Sequence, residues 1–323
     1  MKKIKEWYVW QRNGNVNIFD FLNSCSIDNN IVLFLPEEHE IRGALDYKST
    51  FEKFKNITMV LGTYNSNYLY QLGLPKNVKL INFPNFLMYY TTSQHHNLNI
   101  PKDVKKTALF SVFVNRADPD RACLFDMLAK HKLLKNSHYS WNQIYINDGQ
   151  HNYYKPKFWN SEVKKIDITN PSNRPSTLPN IIHNSVIHLA PESTMHRPFI
   201  TEKTYNAILY KMPFIIYGQP GAHAYVESLG FKLPRNIIKY ENFDNVDNIK
   251  QKAKLIAKEL NRLSSINLNE LAAALKPTVD YNFNLLLDIV SKEEIPDVIK
   301  NNPYYRFYID NTRINLEHFN HFR

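Results

Sequence analysis

The sequence predicts an α/β fold of two domains, and three observations lead there. Short apolar runs rich in branched side chains, among them residues 31–35 (IVLFL), 57–61 (ITMVL), 108–114 (ALFSVFV) and 213–217 (PFIIY), are too short for core helices and suit strands covered on both faces. Helical or loop segments separate these runs, which is the alternation that builds parallel sheets. The length, 323 residues, exceeds one usual core and fits two domains of about 150 residues.

Taken in order, residues 7–10 (WYVW) read as a strand and 18–22 as the start of a short helix. The strand at 31–35 runs into Pro36, Glu37 and Glu38. Helical character returns around 48–54, and strands follow at 57–61 and 78–82. The polar, proline-containing stretch 93–106 reads as a linker. After the strand at 108–114 a helix should run to about residue 132, with Leu124, Phe125, Leu128 and Leu133 on one face. Residues 145–180, poor in periodicity and rich in Asn, Ser and Pro, form an excursion.

Two buried strands at 186–190 and 213–217 then flank a helix that Thr201 caps and Glu202 opens, with Tyr205, Ile208 and Leu209 facing inward. Ile237 and Ile238 suggest another strand. Over 247–263, Ile249, Ala253, Ile256, Leu260 and Leu263 keep helical spacing, while Lys250, Lys254, Lys258 and Arg262 repeat on another face, which reads as a solvated basic stripe, with a phosphate-tracking surface as the alternative. Two more helices are expected at 269–275 and 280–290.

The functional residue types crowd at the ends of the 186–190 and 213–217 strands. Glu192, Ser193, Thr194, His196 and Arg197 follow the first, and Gly218, Gln219, Pro220 and Gly221 the second, while Glu202 and Lys203 open the helix between them. Ligands of open α/β sheets bind beyond the carboxyl ends of the strands, so these groups converge on one crevice. A helix N-terminus with a lysine in its first turn and an arginine upstream suits a phosphate, and a carboxylate beside the lysine suits a sugar hydroxyl.

The net charge of +10 favours an anionic partner: a nucleotide diphosphate, a nucleic acid or an acidic membrane surface. Peripheral membrane contact stays open on that ground. No apolar run approaches the roughly 20 residues of a membrane span, and the start lacks the apolar segment of a signal peptide. Cys25 and Cys123 are too few and too distant for a disulfide framework or a cysteine zinc site. A cytoplasmic setting is expected. Asp118-Pro119-Asp120 spells a metal-binding DxD pattern, yet Asp followed by Pro is also a helix cap and its first position. His95, His96, His183, His188 and His223 lack zinc spacing and read as structural or surface residues.

TEK at 201–203, PFIIYGQPG at 213–221 and AYVESLGF at 224–231, with APE at 190–192 and FVNRADPDRACL at 113–124, resemble the donor-binding pattern of the fucosyltransferase and exostosin-like glycosyltransferases, in versions carried by bacteria and large phages. The resemblance spans residues 108–245. It implies two Rossmann-like domains facing a cleft, the arrangement called GT-B: an acceptor domain over 1–100, a nucleotide-sugar domain over 101–290, and a C-terminal tail over 291–323 that packs back on the first. It assigns Glu202 to the ribose, Lys203 to the diphosphate, and Arg116 or Arg121 to the diphosphate as well. Glu192, His196, Arg197, Thr201 and Gly218 complete the expected donor site.

The implied reaction is inverting transfer from a UDP- or GDP-sugar without metal or other cofactor. A carboxylate in the first domain would be the base. Glu37 and Glu38 fit best by position, with Asp20 and Asp46 as alternatives. The expected acceptor is a hydroxymethylated base in DNA, the setting then being the cytoplasm of a phage host. A lipopolysaccharide or other glycan is the alternative, and a non-catalytic nucleic-acid-binding protein is a different class.

Overall fold

A computed structural model describes residues 2–4, 7–10, 17–35, 41, 43–84, 87, 100–101, 104–114, 119–141, 178–193, 197–291 and 297–302. The chain divides into two compact units, Met1–Phe86 with Ile295–Arg323, and Leu87–Glu294.

The first unit holds a five-stranded sheet in the order β1-β2-β3-β4-β5, formed by Lys2–Ile4, Trp7–Trp10, Asn30–Leu35, Asn56–Leu61 and Val78–Asn82. β1 pairs antiparallel with β2 and the other neighbours are parallel. The register sets Ile31 opposite Ile57, Leu33 opposite Met59 and Leu35 opposite Leu61. All six are buried, as are their neighbours Val32 and Val60, so adjacent residues of each strand bury both faces of the sheet, as the unbroken apolar runs require. Helix α1 (Ile18–Asn23) starts at Asn17, whose side chain accepts from Phe19 N at 2.8 Å, and it buries Phe21 and Leu22. A 3-10 turn at Leu45–Tyr47 leads into α2 (Lys48–Phe51), which buries Phe51, and α3 (Tyr68–Gln71) buries Leu69.

The second unit holds an all-parallel sheet in the order β7-β6-β8-β9: β6 Ala108–Val114, β7 Ser137–Trp141, β8 Ser185–Pro191 and β9 Phe214–Tyr217. Helix α4 (Pro119–Lys130) connects β6 to β7, and α5 (Glu202–Leu209) connects β8 to β9. These two crossovers run in opposite directions from the middle of the sheet. Right-handed connection therefore places α4 and α5 on opposite faces. Behind β9 come α6 (Ala222–Ser228), α7 (Ile249–Leu263) and α8 (Leu268–Ser291). α7 packs with α4 and α8 with α5, so each face of the sheet carries a helix pair.

Every residue of β8 is buried, and Phe110, Ile187, Leu189 and Ile215 are fully enclosed in the sheet core. Each such side chain contributes about 1.5–3 kcal/mol relative to exposure. Under β7, the Phe125 ring meets Trp141 at a centroid distance of 4.7 Å. The chain returns to the first unit as α9 (Asp297–Lys300), where Ile299 is buried and Asn302 Nδ2 donates to Asn82 O at 2.7 Å at the end of β5.

Two expected elements are different in the structure. Ile237 and Ile238 form no strand; their N–H groups both donate to Pro234 O at 2.9 Å in a turn, and Ile238 is apolar because it is buried there. The expected helices at 269–275 and 280–290 are one helix, α8, with Pro277 inside it. Proline removes a ladder N–H and crowds the carbonyl four residues back. Burial of Leu271 and Leu275 before it and of Leu286 and Ile289 after it holds the helix together across that position. Strands β1 and β7 and helix α6 were not expected; β7 (SHYSW) is polar at its start and carries no apolar run. Most of the linker at 93–106 and of the excursion at 145–180 lies outside the described residues, as does the tail from 303 onward.

Candidate functional site

The second sheet has a topological switch. The chain leaves β6 toward β7 on one side and leaves β8 toward β9 on the other, so the connections that follow β6 and β8 run in opposite directions, the kind of point at which ligands of open α/β sheets bind. Arg121, in the first turns of α4, reaches across this point. Its Nη2 and Nε donate to Glu192 O at 2.9 and 3.2 Å, and the side chain is buried. Glu192 extends the β8–β9 pairing by one step, its N–H donating to Tyr217 O at 2.9 Å.

The carboxylate of Glu192 is turned toward the start of α5, and the residue is only 1% exposed. Its Oε2 accepts from Thr201 N at 3.0 Å and Thr201 Oγ1 at 2.6 Å, and its Oε1 accepts from Thr204 Oγ1 at 2.6 Å. Burial pushes this carboxyl above its usual range, against the Lys203 charge and the threonine hydrogen bonds. Thr201 also caps α5, its Oγ1 accepting from Lys203 N at 3.4 Å. Glu192 thus braces the helix N-terminus, a task that occupies both of its oxygens.

Lys203 lies on the outer side of this brace. Its Nζ donates to Glu202 Oε1 at 2.8 Å, Ser193 Oγ at 2.9 Å and Thr201 Oγ1 at 3.2 Å. The Lys203 and Glu202 side chains keep 28% and 19% of their surface exposed, enough to meet a ligand yet oriented by neighbours. Burial would raise the Glu202 carboxyl, but the Lys203 charge and hydrogen bond, with help from Thr201 and its own backbone, hold it below the usual range. A cation and an ionised carboxylate therefore sit side by side in the first turn of α5. Arg197, upstream, is half-buried, and burial lowers its pKa.

The turn after β9 stands beside them. A Cβ at Gly218 would come within 3.3 Å of Glu192 Cγ and 3.2 Å of Ile216 Cγ2, so the glycine lets the turn press against the Glu192 stem. Gly221 has φ +77°, where a side chain is strained. The turn is held from behind by three buried ionisable residues. His223 Nε2 accepts from Ile216 N at 2.8 Å, so the proton is on Nδ1, which donates to Asp244 Oδ1 at 2.6 Å. Burial lowers the His223 pKa, against the pull of Asp244. Asp244 Oδ1 and Oδ2 also accept from the backbone of His223 and Ala224, and Lys252 Nζ donates to Gly218 O at 2.7 Å.

Of the residues expected at the site, Arg121, Glu192, Thr201, Glu202, Lys203 and Gly218 share this end of the sheet. Arg116 and His196 lie outside the described residues, and so do Glu37 and Glu38. Asp20 is exposed in α1 and Asp46 exposed in the 3-10 turn before α2. Asp118 is outside the described residues, while Asp120 lies in the first turn of α4. His188 is buried in β8 against Ser111 Oγ, at 3.0 Å, and burial drops its pKa to about 3. Thr204, Asp244 and Lys252 were missed by sequence reasoning, whereas His223, read there as a structural or surface residue, is a buried structural one. Lys252 had a signal: it falls on the apolar stripe of α7 beside Ala253 and Ile256, where a lysine must find buried acceptors.

No protein-family model matches the chain, and no curated protein matches it. Among solved structures the chain is similar to a DNA-modifying β-glucosyltransferase, whose crystal structure was determined with and without its substrate uridine diphosphoglucose. The two share 12% identity over 84% of this chain and 74% of that one, with a TM-score of 0.42.

Proposed function

We propose that the chain is a glycosyltransferase that moves a sugar from a UDP- or GDP-sugar to an acceptor hydroxyl, with inversion and without a metal. The observation that carries this reading is the Glu202–Lys203 pair, partly exposed at the N-terminus of α5 and held by Ser193, Thr201 and the Glu192 brace. Two of the three acceptors of Lys203 Nζ are hydroxyls, weaker partners than a phosphate oxygen. A diphosphate can therefore replace them and gain a charge-assisted bond. The same cation then neutralises the charge that develops on the departing nucleoside diphosphate. Glu202, ionised, accepts from the ribose hydroxyls. Arg121, Arg116, His196 and Arg197 surround the diphosphate in this reading, and Gly218 lets the nucleotide approach backbone. The fucosyltransferase and exostosin-like resemblance supports it through the quoted motifs alone.

A carboxylate of the first domain, Glu37 or Glu38, would take the acceptor proton. The proposed acceptor is a hydroxymethylated base in DNA, in keeping with the net charge of +10. Among the described residues no helix is long and apolar enough to cross a membrane.

Thermal unfolding with UDP, GDP and ADP tests the site. One of the first two should stabilise the protein, by about 2.7 kcal/mol at a hundredfold excess over Kd. Lys203→Ala should lose roughly 10- to 100-fold in that affinity, the worth of one charged hydrogen bond, while keeping the ligand-free melting temperature. Full nucleotide binding by the variant would remove the assignment. Sugar transfer to hydroxymethylated duplex, against transfer to a glycan panel, decides the acceptor.

A further inference from the structure

We propose that Lys252 is a positioning residue for the nucleotide, fixing the 218–221 turn from behind and setting a positive charge under it. This rests on the donor-site reading above and adds a residue that touches no ligand. Lys252 lies in the first turns of α7, whose start is set by Asn248 capping Gln251 N at 2.9 Å. Its side chain runs inward rather than to solvent, only 2% exposed, which is a costly place for an ammonium without acceptors. It has two, Gly218 O at 2.7 Å and Asp244 O at 3.1 Å.

Those two acceptors define the turn. Asp244 O also takes Gly221 N–H at 3.2 Å, so one ammonium ties both ends of the four-residue turn to a single carbonyl framework. The His223 ring fixes Ile216 on the strand side and Asp244 fixes the start of α6 on the other. The turn follows β9, which pairs with β8, and Gly218 packs on the stem of Glu192, the residue that braces Lys203. A shift of the turn is therefore a shift of the donor site.

The charged groups facing Lys252 are the carboxylates of Asp244 and Asp247, which favour its ammonium form, and His223, which is neutral. From the packed α4, Asp120 and Asp126 act on Cys123, as does Lys250 of α7. Burial outweighs the two carboxylates and brings Lys252 down to about 8. In the unfolded chain a lysine titrates near 10.4. The folded protein thus sheds this proton first, and the contribution of Lys252 to stability rises with pH between about 8 and 10. Nucleotide affinity moves the other way, because the charge under the turn is lost as pH rises through about 8.

The test is the affinity for UDP and for GDP by calorimetry from pH 7 to about 9, above the phosphate pKa of about 6 and below the ionisation of the uracil and guanine ring N–H groups. Wild type should weaken several-fold with a midpoint near pH 8. Lys252→Met should bind about tenfold more weakly at pH 7 and show no midpoint; Lys252→Gln, which keeps a donor, should lie between them and be equally flat. A wild-type profile without a midpoint, or a midpoint that survives in either variant, overturns the role of Lys252 while leaving the donor site standing. Wild type that binds neither nucleotide at pH 7 overturns both. The wild-type profile decides even where a variant does not fold.

Discussion

Thr201 shows how much the site depends on single hydroxyls. Its Oγ1 donates to Glu192 and accepts from Lys203 Nζ and, as the helix cap, from Lys203 N. A buried carboxylate is thereby connected to a partly exposed ammonium through one oxygen. Removing Glu192 strands the donors of Thr201 and Thr204, all buried, and each unsatisfied donor costs about 1–3 kcal/mol. With three such donors, Glu192→Ala should lose at least about 3–5 kcal/mol in urea unfolding. Were Glu192 a ligand contact instead of a brace, the variant would unfold at the wild-type urea concentration and lose only nucleotide affinity.

Among the elements, α8 is the one at odds with its own sequence. A proline inside a helix costs about 3 kcal/mol against alanine, and here the buried leucines on either side outweigh it. Pro277→Ala should raise stability by roughly 1–3 kcal/mol, read as a higher urea midpoint at unchanged slope; no change would mean that the packed helix has already adapted to the ring. This element also marks a limit of the sequence. The run 108–114 was legible to the residue because a doubly covered strand needs an unbroken apolar stretch. Thr201 and Lys203 were legible because caps and charges at a helix start follow local rules. The helix through Pro277 was hidden, since tertiary burial overrode a local preference. The Asp244–His223 pair was hidden too: residues 21 apart meet only once β9, α6 and the following loop are packed.

At the scale of the molecule, the charge of +10 has one ordered expression among the described residues. Lys250, Lys254 and Lys258 are exposed, spaced one turn apart on α7, and carry no salt bridge among the described residues, whereas Arg262 is paired with Glu259. If the acceptor is DNA and its backbone follows this row, changing all three lysines to glutamine should flatten the dependence of log affinity on log salt by about 2.7, near 0.9 for each phosphate that a lysine no longer neutralises. The nucleotide affinity of that variant should stay as in wild type. An unchanged salt slope would return the row to an ordinary solvated face.

The clamp from Arg121 to Glu192 bears on how the molecule acquires its site. The brace joins residues nine and twelve apart, so it can form as soon as β8 and α5 do, whereas the clamp closes a loop of 71 residues. Loop closure costs entropy that grows slowly with length, about 0.6 kcal/mol for each doubling. The half of the site around Lys203 is therefore local in sequence, whereas the switch point is held by a contact of high order. The stretch between β7 and β8 can vary widely in length at small thermodynamic cost, which leaves evolution free to lengthen or trim it without loosening the residues that hold the nucleotide.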